Sequence, residues 1–408
     1  MRHAYRLPKV CLAVIVLVAM PLGAAATPAF QYNIVSVKNL GGSSVVSPGN
    51  FAVITFSVTN PQTGAFYNLT ADPAWTATGG NSRLFLQIGW NTRDFNNTDS
   101  GTLGGPALPI AVNALAGATH NLDGTYTITA GLPIPVTATG TGEVAMEGHP
   151  AGPDPVTGLY TVRIPVRSVY KIFPITDAAA VARRQIVDGN KCMVCHKSDG
   201  TGVAPRLTLH GNNRTEEIQV CVVCHNPDNT DITYRNINPK IVNGVAVNIN
   251  PVVKVGSYTY PEQSIDFKRL IHGIHASTIG FRRNPLVAVG FNGTIFDAST
   301  LTRFPASLSR CTGCHISNPR LPLMAAVRGS TVNTLSSAPN ANGSFVINYN
   351  SADNIRISPT ASVCSSCHDS ATSHMVSTGG ASFNTTQAAL DSGAVVERCA
   401  NCHRSHDD

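Results

Sequence analysis

Five copies of the pattern Cys-x-x-Cys-His occupy the second half of the chain. Two residues between the cysteines allow one turn of backbone to present both sulfurs to one edge of a planar ligand. The histidine that follows then lies beneath the centre of that ligand. This spacing is the attachment site of a c-type haem, in which both sulfurs bond to the porphyrin and the histidine binds the iron.

The cysteine count supports haem over other uses of the pattern. The chain has 11 cysteines, and the one outside the motifs, Cys11, lies in a segment expected to be removed. Zinc sites and redox thiols also use Cys-x-x-Cys, but zinc needs further ligands at close spacing. We therefore expect five haems, bonded to Cys192, Cys195, Cys221, Cys224, Cys311, Cys314, Cys364, Cys367, Cys399 and Cys402, with proximal ligands His196, His225, His315, His368 and His403.

Histidine is also abundant enough to supply the opposite side of each iron. The chain has 13 histidines, of which five are proximal, one lies in the leader and two, His120 and His149, lie in the first half. Methionine is the competing axial ligand, but we interpret Met324 and Met375 as packing residues. The sequence predicts bis-histidine haems with the distal ligands His210, His272, His275, His374 and His406.

Two of these histidines share a predicted helix. Ser264 is the expected N-cap, Asp266 falls in the first turn, and His272 and His275 are three residues apart on one face. This spacing predicts ligation of two neighbouring haems. The alternative is one ligand and one structural histidine.

The remaining distal assignments stay open. His210 lies between the first two motifs and suits either of them. His374 follows its own motif too closely to wrap round to that haem, so another haem is expected. His406 lies near the end of the chain and is the least secure candidate, which leaves Met, water or a ligand from another chain for the last haem, above His403.

The start of the sequence predicts export. Arg2, Arg6 and Lys9 precede an apolar run over residues 10–22, and small residues lead to Ala26. We interpret residues 1–26 as a signal peptide, since the run is too short to cross a membrane. The only cysteine there lies at the beginning of the run, so no lipid anchor is expected. A periplasmic, cell-surface or extracellular location follows.

Composition indicates strands and loops rather than nucleic-acid binding. Only 13% of residues are charged, while Gly 35 and Pro 26 are frequent. The formal charge of +6 includes three leader cations, and haem propionates would offset the rest. Residues 27–176 are expected to form an antiparallel β barrel or sandwich. Its candidate strands are Val35–Leu40, Phe51–Thr59, Leu84–Trp90, Tyr126–Ala130, Glu143–Glu147 and Leu159–Phe173.

Residues 177–408 are predicted to be a multihaem domain of short helices and loops. Ala178–Ile186 is predicted to be a helix that leads into the first motif. Lys254, Lys268, Arg269, Arg282 and Arg283 either pair with propionates or form a solvated face. Because apolar side chains are few, we expect the porphyrins to supply much of the core and the apoprotein not to fold.

Two features of the first half have weak functional interpretations. The oxygens of Arg93–Asp99 could bind calcium, but the spacing departs from an EF-hand loop and a solvated turn is favoured. His120 and His149 are interpreted as surface histidines.

The second half resembles the outer-surface multihaem cytochromes of the OmcA/MtrC type from about residue 186 onward. The resemblance is carried by Leu207–Arg214, Cys221–Pro227, Asp266–His275, Cys311–His315 and Cys364–Met375. Members usually have ten haems in two halves, each a β domain followed by a five-haem domain, and this chain is similar to one half. The resemblance implies bis-histidine ligation with His210, His272, His275 and His374 as distal ligands.

The resemblance also implies electron transfer across the cell surface to minerals, flavins, partner cytochromes or a porin–cytochrome complex. The missing lipid-anchor signal and the short sequence after the fifth motif are departures from that family. The expected function is therefore a conductor rather than an enzyme. One alternative is a reductase of a small oxyanion with one open haem, which needs acid–base groups beside it. Another is a self-associating subunit of a haem-stacked filament.

Overall fold

The computed structural model describes residues 29–99, 107–196, 207–235, 240–242, 245–247, 253–255, 258–318, 321, 323, 325–334 and 354–403. The expected signal peptide and His406 lie outside these residues. Among the described residues, no helix has the length and apolar character needed to cross a membrane.

The first half forms two antiparallel sheets and a hairpin. Its strands are β1 (Gln31–Asn39), β2 (Ala52–Thr59), β3 (Arg83–Trp90), β4 (Ile110–Asn113), β5 (Thr119–His120), β6 (Tyr126–Thr129), β7 (Thr141–His149), β8 (Ala151–Pro153), β9 (Tyr160–Arg163) and β10 (Val169–Pro174). The short helices α1 (Pro73–Thr76) and α2 (Ala114–Gly117) connect them. The first sheet has the order β1-β2-β6-β5, the second β10-β7-β3-β4, and β8 pairs with β9.

Alternating side chains from the two sheets build the core of a sandwich. Ile54, Phe56, Leu86, Trp90 and Met146 are all fully buried within one apolar cluster. Successive side chains of a strand point to opposite faces, so the alternating pattern sends one set inward. The predicted antiparallel barrel or sandwich is confirmed and is a sandwich. The candidate strand Leu159–Phe173 is divided between β9 and β10.

The second half consists of short elements. Its helices are α3 (Gly189–Met193), α4 (Ile218–Cys224), α5 (Phe267–Thr278), α6 (Pro359–Cys367), α7 (Thr372–Ser377) and α8 (Gln387–Asp391). Two-stranded ladders join β11 (Thr208–Leu209) to β12 (Arg214–Thr215), β13 (Lys240–Val242) to β14 (Val245–Val247), β15 (Val253–Val255) to β16 (Tyr258–Tyr260), β17 (Val287–Val289) to β18 (Ile295–Asp297) and β19 (Ser330–Asn333) to β20 (Ile355–Ile357). This loop-rich, short-helix architecture was predicted.

The helix predicted over Ala178–Ile186 is wrong. The backbone there makes hydrogen bonds with the sandwich: Thr92 Oγ1 donates to Val181 O over 2.7 Å, and Val181 N donates to Thr141 Oγ1 over 2.9 Å. These bonds use backbone groups that a helix needs for its own turns. Contacts with distant residues therefore override the local preference of an alanine-rich segment.

The outer face of the second sheet is covered by α4. Ala145 on β7 and Phe95 form a buried cluster with Val220, Val222 and Val223 of the helix. A Cβ atom on Gly89 of β3 would lie 2.8 Å from Val223 Cγ1, so α4 packs where the strand has no side chain. The second sheet thus packs against apolar groups on both faces, unlike an antiparallel sheet with one solvated side.

The loop predicted to be a solvated turn is instead buried. Asp94 is 4% exposed, and its carboxylate pairs with Arg183 and Arg184 and accepts a hydrogen bond from Arg328 N. Asn97 is fully buried. A carboxylate that already has these partners connects distant segments of the chain, and neither the turn nor the calcium interpretation describes it.

The two histidines of the first half differ in environment. His120 is exposed and stacks on Tyr126 with ring centroids 4.6 Å apart. His149 is fully buried at the end of β7, so its interpretation as a surface residue is wrong. Burial lowers the pKa of His149 to about 4, because an apolar environment penalises the charged imidazolium.

Replacing Asn97 with Ala should lower the free energy of unfolding by about 1–3 kcal/mol. Asn97 Oδ1 accepts from Trp90 N over 3.0 Å, and Asn97 Nδ2 donates to Val223 O over 2.6 Å. Both backbone groups would lose a partner in a buried place. Denaturant titration of the haem-loaded protein measures the loss.

The matched control is Asn50→Ala at an exposed loop position, expected to change stability by less than about 0.5 kcal/mol. Equal effects of the two substitutions would contradict the role given to Asn97.

Candidate functional site

All five Cys-x-x-Cys-His motifs adopt the same turn. In each, the histidine N–H donates to the carbonyl of the first cysteine over 2.8–2.9 Å, as in His225 N to Cys221 O. The described cysteines are all free thiols. The shared turn has the local geometry that the spacing predicts for presenting two sulfurs and one imidazole to a single ligand.

Four motif histidines face another histidine across a gap of nearly constant width. The ring centroids are 5.9–6.4 Å apart in all four pairs. The second member of each pair is one of the predicted distal histidines. The pairs are His196 with His275, His225 with His210, His315 with His272, and His403 with His374.

This width is what one metal ion between two imidazoles requires. A metal–imidazole bond is about 2 Å long, so two such bonds on opposite sides hold the nitrogens about 4 Å apart. Each ring centroid lies roughly 1 Å behind its nitrogen, which gives a centroid separation of about 6 Å. The four pairs therefore fit a bis-histidine iron.

Hydrogen bonds orient two of these imidazoles for ligation. His225 Nδ1 lies 2.9 Å from Ile265 O, and His275 Nδ1 lies 2.9 Å from Ile271 O. A carbonyl accepts only from a protonated Nδ1, so the other nitrogen, Nε2, keeps its lone pair for a metal. These carbonyl contacts thus select the ligand tautomer.

Burial keeps several of the paired histidines neutral. It lowers the pKa of His225, His275 and His315, and it lowers the pKa of His210 to about 3. The neutral imidazole is the form that binds a metal. These four histidines are therefore neutral, and able to bind a metal, at neutral pH.

His210 lies in a strained turn between β11 and β12. Its φ of +55° is left-handed, and Gly211 and Asn212 follow with φ of +69° and +71°. Asn213 Nδ2 donates to His210 O over 2.6 Å and closes the turn. A residue other than glycine held in this region indicates a functional constraint, and here the turn points the imidazole toward His225.

Helix α5 supplies two distal histidines to two different motifs. His272 faces the third motif and His275 faces the first. The alternative in which only one of them is a ligand is disfavoured, since both make the same separation. The helix is capped by Asp266, which accepts from Lys268 N and from Ser330 Oγ. The predicted cap, Ser264, lies two residues earlier, and its Oγ accepts from Asp266 N.

The first and third motifs pack against each other. Asp188 N donates to Cys314 O over 2.9 Å, and Lys191 Nζ donates to His315 O over 2.7 Å. The side chains of Cys192 and Cys314 also lie against each other. The two motifs that share α5 are therefore also in direct contact.

Two arginines attach the fourth motif to the region around α5. Arg269 donates to Ser365 Oγ over 3.0 Å and Arg282 to Ser366 O over 2.6 Å, both within α6. Burial lowers the pKa of Arg269 to about 10. In the sequence these arginines were candidates for propionate binding or a solvated face, but the structure directs them to the helix that carries Cys364.

A carboxylate joins the fifth motif to the fourth. Glu397 accepts from Ser358 Oγ, Thr360 N and Ala361 N over 2.6–2.9 Å, at the N-terminus of α6. Acceptors at this end satisfy free N–H groups of the first turn. A cavity of about 290 Å³ lies beside Cys399, and its lining includes Leu390 and Val395.

His368 lies against Phe281, with ring centroids 5.3 Å apart. The fifth predicted distal ligand, His406, lies outside the described residues. The sequence had left open the iron above His403, but His374 faces that histidine.

The contacts of Arg282 and Glu397 with α6 could not be recognised from the sequence. Arg282 was a candidate only for propionate binding or a solvated face, and Glu397 is an ordinary charged residue in a loop. Asp266, by contrast, carried a helix-start signal that identified the correct segment and misplaced the cap.

Comparisons with known proteins identify a family and a fold for this chain. Residues 184–408 match the family model described as outer membrane cytochrome MtrC/MtrF-like, domains II/IV. No curated protein sequence matches the chain. The crystal structure of MtrC from Shewanella baltica OS185 matches with a TM-score of 0.52 at 16% identity, over 92% of this chain and 52% of that one. The chain thus spans about half of that MtrC chain, and the likeness concerns the fold.

His275→Ala and His272→Ala should each convert one haem to the high-spin state, and a different haem in each variant. Removing either imidazole opens one iron, the first motif's or the third's. Low-temperature EPR counts the high-spin signals. The exposed His120→Ala is the control, expected to add none. A single variant that opens two haems, or neither variant opening one, would refute the pairing.

Proposed function

The chain belongs to the MtrC/MtrF-like family of outer membrane cytochromes, and from this premise we propose that it is a pentahaem conductor of electrons at the cell surface. Membership makes it a multihaem c-type cytochrome. The count of five rests on five motifs that share one turn. The observation that carries the proposal is the set of four histidine pairs, each 5.9–6.4 Å apart.

The chain's own residues hold and space the haems. Ten motif cysteines attach them, and each facing pair of histidines closes both sides of one iron. When bound, each haem supplies one-electron redox chemistry whose potential depends on axial ligands, burial and nearby hydrogen bonds. Closed coordination leaves no site for a substrate at the four paired positions, which favours conduction over the reductase alternative.

Four of the five predicted distal histidines each face a motif histidine. The pairing of His374 with His403 would give the iron above His403 its second histidine. His406 stays a prediction from the sequence, because it lies outside the described residues.

Contacts between motifs support one linear order of attachment sites. Gly189 of the first motif's helix lies beside Ile218 of the second motif's helix. The first and third motifs touch at Cys192 and Cys314. Cys367 Sγ of the fourth motif lies 3.9 Å from His272 O. Because His272 faces His315 of the third motif, this contact supports the fourth motif as the neighbour of the third.

Glu397 links the fourth motif to the fifth. The proposed order is therefore second, first, third, fourth and fifth.

The two ends of this order differ in exposure. The second motif packs against the sandwich, whereas Cys402 and His403 of the fifth are exposed. We place exchange with external partners at the exposed end.

Export and the family's outer-membrane description support a cell-surface location. A partner cytochrome is the proposed donor, and flavins or metal oxides are the proposed acceptors. Each of these partners can exchange single electrons with an exposed haem edge without a substrate pocket.

Removing the third haem should divide the conductor in two. A ruthenium photosensitiser on Ser392→Cys, an exposed position that follows α8 beside the cavity at Cys399, injects electrons at the fifth motif. In a Cys311→Ala/Cys314→Ala variant under continuous illumination with a sacrificial electron donor, successive injections should reduce roughly half of the four remaining haems in a fast phase of the absorbance record, because hopping requires adjacent haems.

The matched control is Cys221→Ala/Cys224→Ala, which also keeps four haems but removes the proposed end of the order. There all four should be reduced promptly. Mass spectrometry must first give five haem masses for the parent protein. Prompt reduction of all haems in the third-haem variant would contradict the linear order.

A further inference from the structure

The outer face of the second sheet carries charged residues that the haem-binding function has not used. Glu143, Ala145, Glu147 and His149 alternate along β7 on the face away from the sandwich core. All four are at most 3% exposed, since α4 and the β11–β12 hairpin cover them. Buried carboxylates are costly unless they have partners. Their location under the second motif therefore requires a reason.

Glu147 forms a forked ion pair with Arg214 of β12. Arg214 Nη2 donates to Glu147 Oε1 over 2.6 Å, and Arg214 Nε lies against Oε2. Gln87 Nε2 donates to the same Oε1 over 3.0 Å. The carboxylate side chain is 4% exposed and the guanidinium side chain 25%. A forked pair of this kind fixes orientation as well as distance.

The pair fastens the hairpin that carries His210. Gly148 N donates to Asn213 O over 2.8 Å, next to the ion pair. Ser168 N donates to Thr215 O over 3.0 Å on the same strand, β12. The sandwich thus grips the hairpin along β12, one residue away from the strained turn.

The same face of the sheet also holds the other side of the second haem site. Asn97 Nδ2 donates to Val223 O in α4, between the two motif cysteines. The Glu147–Arg214 pair and the Asn97 hydrogen bond thus hold against one face of the sheet the two segments that carry His210 and His225.

We propose that Glu147 and Arg214 are positioning residues for the second haem: the pair fixes His210 opposite His225, and its buried carboxylate sets the reduction potential of that iron. The proposal rests on the proposed function for the ligands themselves. The β sandwich then acts as a tuning element for one haem of the five. The hydrogen bonds that Lys191, Arg282 and Glu397 make at the other four haem sites lie within the second half of the chain.

The sign of the effect follows from the charges. The ferric haem core carries one more positive charge than the ferrous core, so a nearby buried carboxylate stabilises the ferric state and lowers the potential. Glu147→Gln removes that charge at nearly constant shape and leaves the Arg214 cation uncompensated. Both changes favour the ferrous state, so the potential of the second haem should rise.

The test is a redox titration of the haem-loaded protein at pH 7, followed by EPR. The second haem is identified as the component that disappears in Cys221→Ala/Cys224→Ala. Glu147→Gln should raise the midpoint potential of this component and broaden its low-spin signal. Glu147→Asp, which retains the charge, should return the potential toward the parent value even if the fork is imperfect.

Glu143→Gln is the matched control on the same strand face. Burial raises the pKa of Glu143 to about 8, so the carboxyl is mostly protonated at pH 7 and the substitution removes little charge. Glu143→Gln should therefore leave the midpoint potentials of the haems unchanged. Equal shifts for Glu143→Gln and Glu147→Gln, or no shift for Glu147→Gln with haem content intact, would overturn the proposal.

His210→Ala separates this proposal from the proposed function. A new high-spin signal in His210→Ala, together with an unmoved potential in Glu147→Gln, would refute the positioning role and leave the ligand assignment standing. No high-spin signal in His210→Ala would refute the ligand assignment itself, and with it the premise of the proposal. If Glu147→Gln fails to fold, Arg214→Lys is measured in its place. A shift in the midpoint potential of the second haem is then expected, and an unchanged potential would contradict the proposal.

Discussion

The fold of the second half depends on the constant gap between facing imidazoles. Each gap joins two segments that are distant in sequence, as His196 and His275 are, and an iron would bond to both. On the proposed function, a covalent attachment on one side and an axial bond on the other would supplement the smaller groups of buried apolar residues in the second half, such as residues 286–289. The largest apolar cluster instead lies in the sandwich. Short helices suffice here because ligands, rather than extended packing, determine their positions.

Helix α5 concentrates this constraint. Its twelve residues contain both His272 and His275, directed at different motifs, while Arg269 on the same helix holds the fourth. A helix has a rise of about 1.5 Å per residue, so ligands three residues apart must bind irons that are close neighbours. The spacing of the two histidines along the helix therefore limits the distance between the first and third haems. On the inference above, the sandwich complements it by holding the second haem site, which α5 does not ligate, through Glu147 and Arg214.

The motifs and their candidate ligands were readable because their chemistry is local. The cysteine spacing, the spare histidines and the alternating strands of the sandwich all follow from nearby residues. Which distal histidine faces which motif was not readable, since histidines that meet in the fold, such as His374 and His403, are far apart in sequence. Errors at Asp94, His149 and Ala178–Ile186 share a cause: each position is buried or extended by contacts with distant segments. A single sequence contains no periodic signal for such contacts.

The central claim is that an iron lies between each facing pair of histidines. Anomalous X-ray diffraction from crystals of the haem-loaded protein at the iron absorption edge locates every iron independently of the polypeptide. The account predicts five iron peaks, four of them midway between His196 and His275, His225 and His210, His315 and His272, and His403 and His374. A pair without a peak between its rings, or an iron bound to a different combination of these histidines, would contradict it.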